Sequence, residues 1–103
     1  MEFDWDDAKN TVNIRKHGVS FSLAQEAFYD SYRIITFDRK HSTVSEKRYF
    51  CFGRVDTRIL TVRFTIRHGT IRIIGAGFWR EGKVLYEKQN RISKSPENYF
   101  EGN

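Results

Sequence analysis

The spacing of apolar positions changes along the chain, from helical at the start to alternating in the middle. Over residues 4–19, "DWDDAKNTVNIRKHGV", Trp5, Ala8 and Val12 recur at helical spacing and predict a first helix. Asp4 or Asp6 caps it, and the acids of its first turn suit the helix dipole. Lys16 and His17 fall in its last turn, and Gly18 stands where a left-handed residue ends a helix. "SFSLAQEAFYD" predicts a second helix, capped by Ser20 or Ser22. Ser22 with Gln25 would make a capping box, while Leu23, Ala24, Ala27 and Phe28 form an apolar stripe.

Past Asp30 the alternation predicts strands over residues 32–37, 46–55, 58–66 and 70–77. The linkers between them, "DRKHSTVS", "DT" and "HG", are polar. A last helix is predicted in "WREGKVLYEKQN", with Gly82 counting against it. The tail from residue 91 to 103 holds the single proline, shows no periodicity and is expected to be mobile. The expectation is an α+β domain over residues 1–90: two N-terminal helices on a mainly antiparallel sheet of about four strands, closed by a short C-terminal helix.

Strand register sharpens the picture. If His68-Gly69 is a two-residue hairpin loop, Arg67 faces Thr70, Thr65 faces Arg72 and Arg63 faces Ile74. Val62, Phe64, Ile66, Ile71 and Ile73 then share a core face. Thr61, Arg63, Thr65, Arg67 and Arg72 share the other, where Arg63 and Arg72 are diagonal neighbours. With Asp56-Thr57 as the preceding loop, Tyr49, Cys51 and Gly53 join the core face. Arg48, Phe50, Phe52 and Arg54 then join the arginines. A loop of odd length would reverse this assignment. Antiparallel sheets often have one wet face, over which arginine stems lie well. Phe50 and Phe52 fit that account poorly and need a cover: the last helix, a partner protein or stacked bases. Arginine interleaved with aromatic rings is a recurring surface for RNA, with guanidinium on phosphate and base on ring.

Composition narrows the classes of function. The chain has 103 residues, with 39% hydrophobic, 30% charged and 16% aromatic, enough for one modest core. No apolar run approaches the roughly 20 residues of a membrane span. The acidic N-terminus lacks the layout of a secretion signal, and a cytoplasmic protein without membrane partners is expected. Cys51 is the one cysteine, which removes internal disulfides and cysteine zinc clusters. His17, His41 and His68 lack metal-ligand spacing, and the last two are expected in solvent. Net charge is +5, but residues 31–90 hold thirteen Lys/Arg against five acids, while residues 1–30 are acidic. A basic sheet of this kind fits a polyanion or an acidic protein.

The segments "FDWDDAKNTVNIRKHGVSF", "HSTVSEKRYFCFGR" and "FTIRHGTIRIIGA", in that order, together resemble the BrnT toxins. These are small RNase toxins of bacterial type II toxin–antitoxin systems with a RelE-like fold, and the resemblance covers about residues 3–87. It implies a metal-independent endoribonuclease with no cofactor. It also implies a BrnA-like ribbon-helix-helix antitoxin as partner, with operator DNA reached only through that antitoxin. Arg54 and Arg72 match positions commonly basic in the family, and Lys16 and His17 match its "KHG". The candidate catalytic residues are Arg54, Arg72, His17 and Tyr86; those for holding RNA are Arg48, Arg63, Arg67, Lys16, Phe50 and Phe52. Arg54, Arg63 and Arg72 are the expected phosphate clamp, since the guanidinium fork grips phosphate bidentately. For His17 the rival reading is a complement to the helix dipole, and for Tyr86 an anchor of the last helix.

Two positions depart from the family pattern. Ile66 stands where an acid is common, and Gly77 stands where "ISAR" would place arginine, with Arg80 near enough in sequence to substitute. A second reading follows: a toxin-fold protein that binds its antitoxin or RNA without cutting. A third is a stand-alone RNA-binding protein.

Overall fold

The computed structural model describes the backbone of residues 1–102 and the side chains of residues 1–91. The mobile tail expected over residues 91–103 lies, apart from Arg91, outside the described side chains. The strands are β1 (Phe3–Asp4), β2 (Ile34–Phe37), β3 (Arg48–Val55), β4 (Arg58–Arg67) and β5 (Thr70–Gly77). They form one sheet in the order β1-β5-β4-β3-β2. Helix α1 (Asp7–His17) and the short α2 (Phe21–Ala24), continued by a 3-10 helix (Gln25–Tyr29), precede β2, and α3 (Arg80–Gly102) follows β5. The domain is α+β, as expected, but the sheet has five strands and is mixed, and the closing helix is not short: α3 spans 23 residues. β1 pairs parallel with β5 through Phe3↔Ile71 and Asp4↔Arg72. Two residues are too few for an alternating pattern to show.

Both hairpins take the expected loops. β3 and β4 pair from Arg48↔Thr65 to Val55↔Arg58, and β4 and β5 start at Arg67↔Thr70 with Thr65↔Arg72. Asp56 and His68 adopt φ of 56° and 52° at these turns. Farther along, Arg63 pairs with Gly75 rather than Ile74, because the register shifts between Arg63 and Phe64. This bulge sets Ile74 and Gly75 together opposite Arg63 and separates Arg63 from Arg72 by an extra residue. Ile73 and Ala76 on either side both reach the core.

That core lies between the sheet and the N-terminal helices: Phe21, Ala24, Ala27 and Phe28 meet Cys51, Leu60, Val62 and Phe64. Burial pushes the Cys51 thiol up to about 12. Ile66, expected in this core, is 54% exposed near the hairpin tip. Ser20, rather than Ser22, caps α2 by accepting from Leu23 N–H at 3.0 Å. The expected capping box does not form, since Gln25 Nε2 donates to the Ser22 carbonyl instead.

Helix α1 begins at Asp6, whose carboxylate accepts from Ala8 and Lys9 N–H, and ends at Gly18 with φ 69°. It does not rest on an apolar stripe. Ala8 and Val12 are exposed and its one buried residue is Asn13. The Asn13 amide donates to the Val19 and Ala76 carbonyls at 2.8 and 2.9 Å and accepts from Ala76 N–H at 3.2 Å. It thus serves the β5 edge as a strand's peptide group would. Asn10 adds a bond from Phe21 N–H at 2.8 Å.

The opposite face of the sheet is also covered. Tyr86 and Leu85 of α3 pack on Phe52, Ile59, Ile34 and Phe50. The cover required by Phe50 and Phe52 is therefore the last helix. Gly82 allows the close approach: a Cβ there would collide with Thr61 Oγ1 and lie 2.7 Å from Phe52 Cδ1.

Candidate nucleic-acid interface

The arginines of the sheet fall into two groups according to the carboxylates that the topology brings to them. Glu46, just before β3, takes Arg48 Nη2 on one oxygen at 3.1 Å and Arg67 Nη2 on the other at 2.8 Å. Hydrogen bonds from Arg67 and then Arg48 hold the Glu46 carboxyl below its usual range. Arg72 meets Asp4 of β1 at 3.3 Å. These three guanidinium forks are already engaged. Arg63 and Arg54 have no carboxylate partner within salt-bridge distance among the described residues. His41, expected in solvent, is exposed, with Nδ1 2.9 Å from Asp38.

Tyr86 is 3% exposed, and its hydroxyl donates to Asp30 Oδ2 at 2.5 Å. The same carboxylate accepts from the Arg54 and Tyr32 backbone N–H groups. Burial pushes the Asp30 carboxyl up, but bonds from Tyr86, Arg54 and Tyr32 outweigh it and hold the group below its usual value. Burial, then the bond to Asp30, pushes the Tyr86 phenol up to about 12. These contacts make Tyr86 the anchor of α3. Its ring also lies beneath the Arg54 guanidinium, 5.9 Å from centroid to Cζ.

Arg63 opens into a cleft of about 350 Å³ at the end of the sheet beside α1, lined also by Lys9, Lys16, His17, Ile74, Gly75 and Trp79. The Asn13 bonds to β5 hold the last turn of α1 at this place, which brings Lys16 and His17 to Arg63. Trp79 closes the cleft: its ring meets His17 edge-on at 5.1 Å and covers Gly77. A Cβ at position 77 would lie 2.6 Å from Trp79 Cζ2. The position matching the family's arginine is therefore filled by the indole.

A second cleft of about 340 Å³ also has Trp79 in its lining. Arg54, Arg58, Arg80 and Lys83 face it, with Glu87 as the one acid in its lining. Arg58 Cζ lies over the Phe78 ring, 3.8 Å from its centroid. Of the sequence candidates, the structure brings Arg63, Lys16 and His17 together and sets Arg54 in the second cleft. Arg48 and Arg67 sit with Glu46, Arg72 with Asp4, and Phe50 and Phe52 stack on each other beside α3. Sequence reasoning did not single out Trp79, Lys9, Arg58 or Lys83. The cation and aromatic interleaving of "FWREGK" was the available signal, but its meaning depends on where α3 turns.

Among the described residues no group of three or more His, Cys, Asp or Glu is placed to hold a metal ion, and no helix is long and apolar enough to cross a membrane. No curated protein matches the chain. A family model does, over residues 5–82, described as "Ribonuclease toxin, BrnT, of type II toxin-antitoxin system". That span runs from Trp5 through both N-terminal helices and the strands β2 to β5 to Gly82. It includes Lys16, His17, Arg63 and Trp79, and on that match the chain belongs to the BrnT ribonuclease toxins of type II toxin–antitoxin systems.

Proposed function

We propose that this chain is a metal-independent endoribonuclease of the bacterial cytoplasm that cuts RNA in the cleft of Arg63, Lys16 and His17. A BrnA-like ribbon-helix-helix antitoxin neutralises it and carries the pair to operator DNA. The observation that carries the reading is Arg63, a cation with no carboxylate partner among the described residues, facing the same cleft as Lys16 and His17. In such a cut the ribose 2′-OH attacks the adjacent phosphorus and the bond to the 5′ oxygen breaks, leaving a 2′,3′-cyclic phosphate and a 5′-hydroxyl. His17 takes the 2′ proton, the Lys16 ammonium supplies one to the leaving oxygen, and Arg63 faces the charge of the phosphorane. Tyr86 serves the fold in this reading, since its hydroxyl is held by Asp30.

A second reading, binding without cutting, is favoured by the indole over Gly77. If an arginine there supplied a transition-state cation, its absence costs about 2.7–4 kcal/mol, the scale of one oxyanion donor. RNA cleavage by the purified chain in EDTA, with Arg63→Ala beside it, separates the two. Cleavage that survives EDTA and falls in the variant by a hundredfold or more supports the nuclease. No cleavage by folded protein, under conditions where an active relative cuts, supports the binding module.

A further inference from the structure

We infer that the cleft of Arg54, Arg58, Arg80 and Lys83 is a second phosphodiester subsite. Trp79 carries the base between it and Arg63, so that single-stranded RNA is gripped across more than one phosphate. The inference rests on the proposed reading that RNA is the ligand of the Arg63 cleft.

Three observations lead to it. None of the four cations has a carboxylate within salt-bridge distance among the described residues, although Arg48, Arg67 and Arg72 on the same sheet all do. Arg58 is oriented by a ring instead, with its Cζ 3.8 Å from the Phe78 ring centroid. A guanidinium stacked by its face keeps its N–H edge for a ligand, and planar N–H edges match phosphate oxygens. Finally, Trp79 is 37% exposed and lines both basic clefts. Cations on either side of an open indole are the arrangement that single-stranded nucleic acid uses, with phosphates on the cations and a base on the ring. An acidic peptide would use the cations but has no comparable need for the indole between them.

The test uses the full chain and RNA oligonucleotides of two to five residues made uncleavable by 2′-O-methylation, with binding followed by fluorescence anisotropy across a salt series. Wild type should bind more tightly as the strand lengthens from two residues to four. Arg58→Gln with Arg80→Gln should lose that gain, and its salt slope should fall by about 1.4, near 0.7 for each phosphate contact removed from a single strand. Lys83→Gln, on the exposed side of α3, should lose part of the gain independently. Trp79→Leu should weaken the longer strands about 5- to 150-fold, the range for one stacked base. A length gain and slope that persist in the cleft variants would overturn the inference, as would failure of wild type to bind RNA. It is also overturned if the variants bind RNA normally but lose affinity for the antitoxin, which would make the cleft a protein contact. If wild type shows the gain and the variants lose it, but no natural RNA is cut, the nuclease reading falls and the subsite stands.

Discussion

Replacing Gly82 with alanine sets helix propensity against packing. Glycine in a helix costs up to about 1 kcal/mol relative to alanine, so propensity alone makes Gly82→Ala stabilising. The geometry opposes this. The new methyl would collide with Thr61 Oγ1 and lie 2.7 and 3.0 Å from Phe52 Cδ1 and Cε1. Ordinary carbon contacts are about 3.5–4.0 Å, so something must move by about 0.5–1.3 Å. Both neighbours are held in the packed face: Thr61 is 4% and Phe52 7% exposed. Lifting α3 to make room opens the packing of Tyr86 on Phe52 and Ile59. Overpacking of this kind costs about 1–3 kcal/mol, and its upper half applies where the neighbours are fixed. The expected net effect is a destabilisation of about 1–2 kcal/mol. Urea unfolding measures it through the midpoint at unchanged slope. Thr61→Ala in the same chain should recover part of the loss, giving a positive coupling in a double-mutant cycle. A Gly82→Ala protein as stable as wild type, or more so, would refute the close approach of α3 and with it the placement of Trp79, Arg80 and Lys83.

Two further outcomes are expected. Asn13→Ala leaves the Ala76 N–H and two carbonyls without partners at a buried site, and should cost about 2–4 kcal/mol in urea unfolding; a loss below about 1 kcal/mol would mean that α1 is held by other contacts. Because the Tyr86 phenol is raised to about 12 in the folded chain, its contribution is complete below the unfolded value near 10 and is lost as pH rises from about 10 to 12. Wild type should therefore lose on the order of 2 kcal/mol more than Tyr86→Phe across that window, read from unfolding midpoints, and equal losses would refute the buried Tyr86–Asp30 bond.

The sheet was legible where side chains alternate over long strands and loops are two residues long. That is why the β3–β4 register, from Arg48↔Thr65 to Val55↔Arg58, follows from counting back from Asp56-Thr57. The bulge at Ile74 and Gly75 was not legible, because "RIIGA" reads as a continuous strand in any register. α1 shows a different limit. Trp5, Ala8 and Val12 have helical spacing, yet the helix is fixed by hydrogen bonds to the side-chain amides of Asn10, which accepts, and Asn13, which donates and accepts, and these leave no mark in an apolar pattern. Gly82 counted against a helix by propensity, and the same missing side chain is what lets that helix reach the sheet.

For the candidate site, the arginines could be counted in the sequence but their partners could not. Asp4 reaches Arg72 because the two-residue β1 runs parallel to β5, and Glu46 reaches Arg67 because β3 lies beside β4. Both pairings are long-range consequences of topology. They neutralise the part of the sheet toward the β4–β5 turn, where Arg48, Arg67 and Arg72 lie. Helix α3 covers another part of that face with Tyr86 and Leu85. The arginines of the sheet that are neither paired nor covered line the two clefts on either side of Trp79, joined there by cations of α1 and α3. A net charge of +5 would allow a polyanion anywhere on the basic face. Pairing and cover leave the sheet's unengaged arginines, Arg54, Arg58 and Arg63, along a track with an indole at its middle, and that gives the basic sheet face a direction along which a strand can lie.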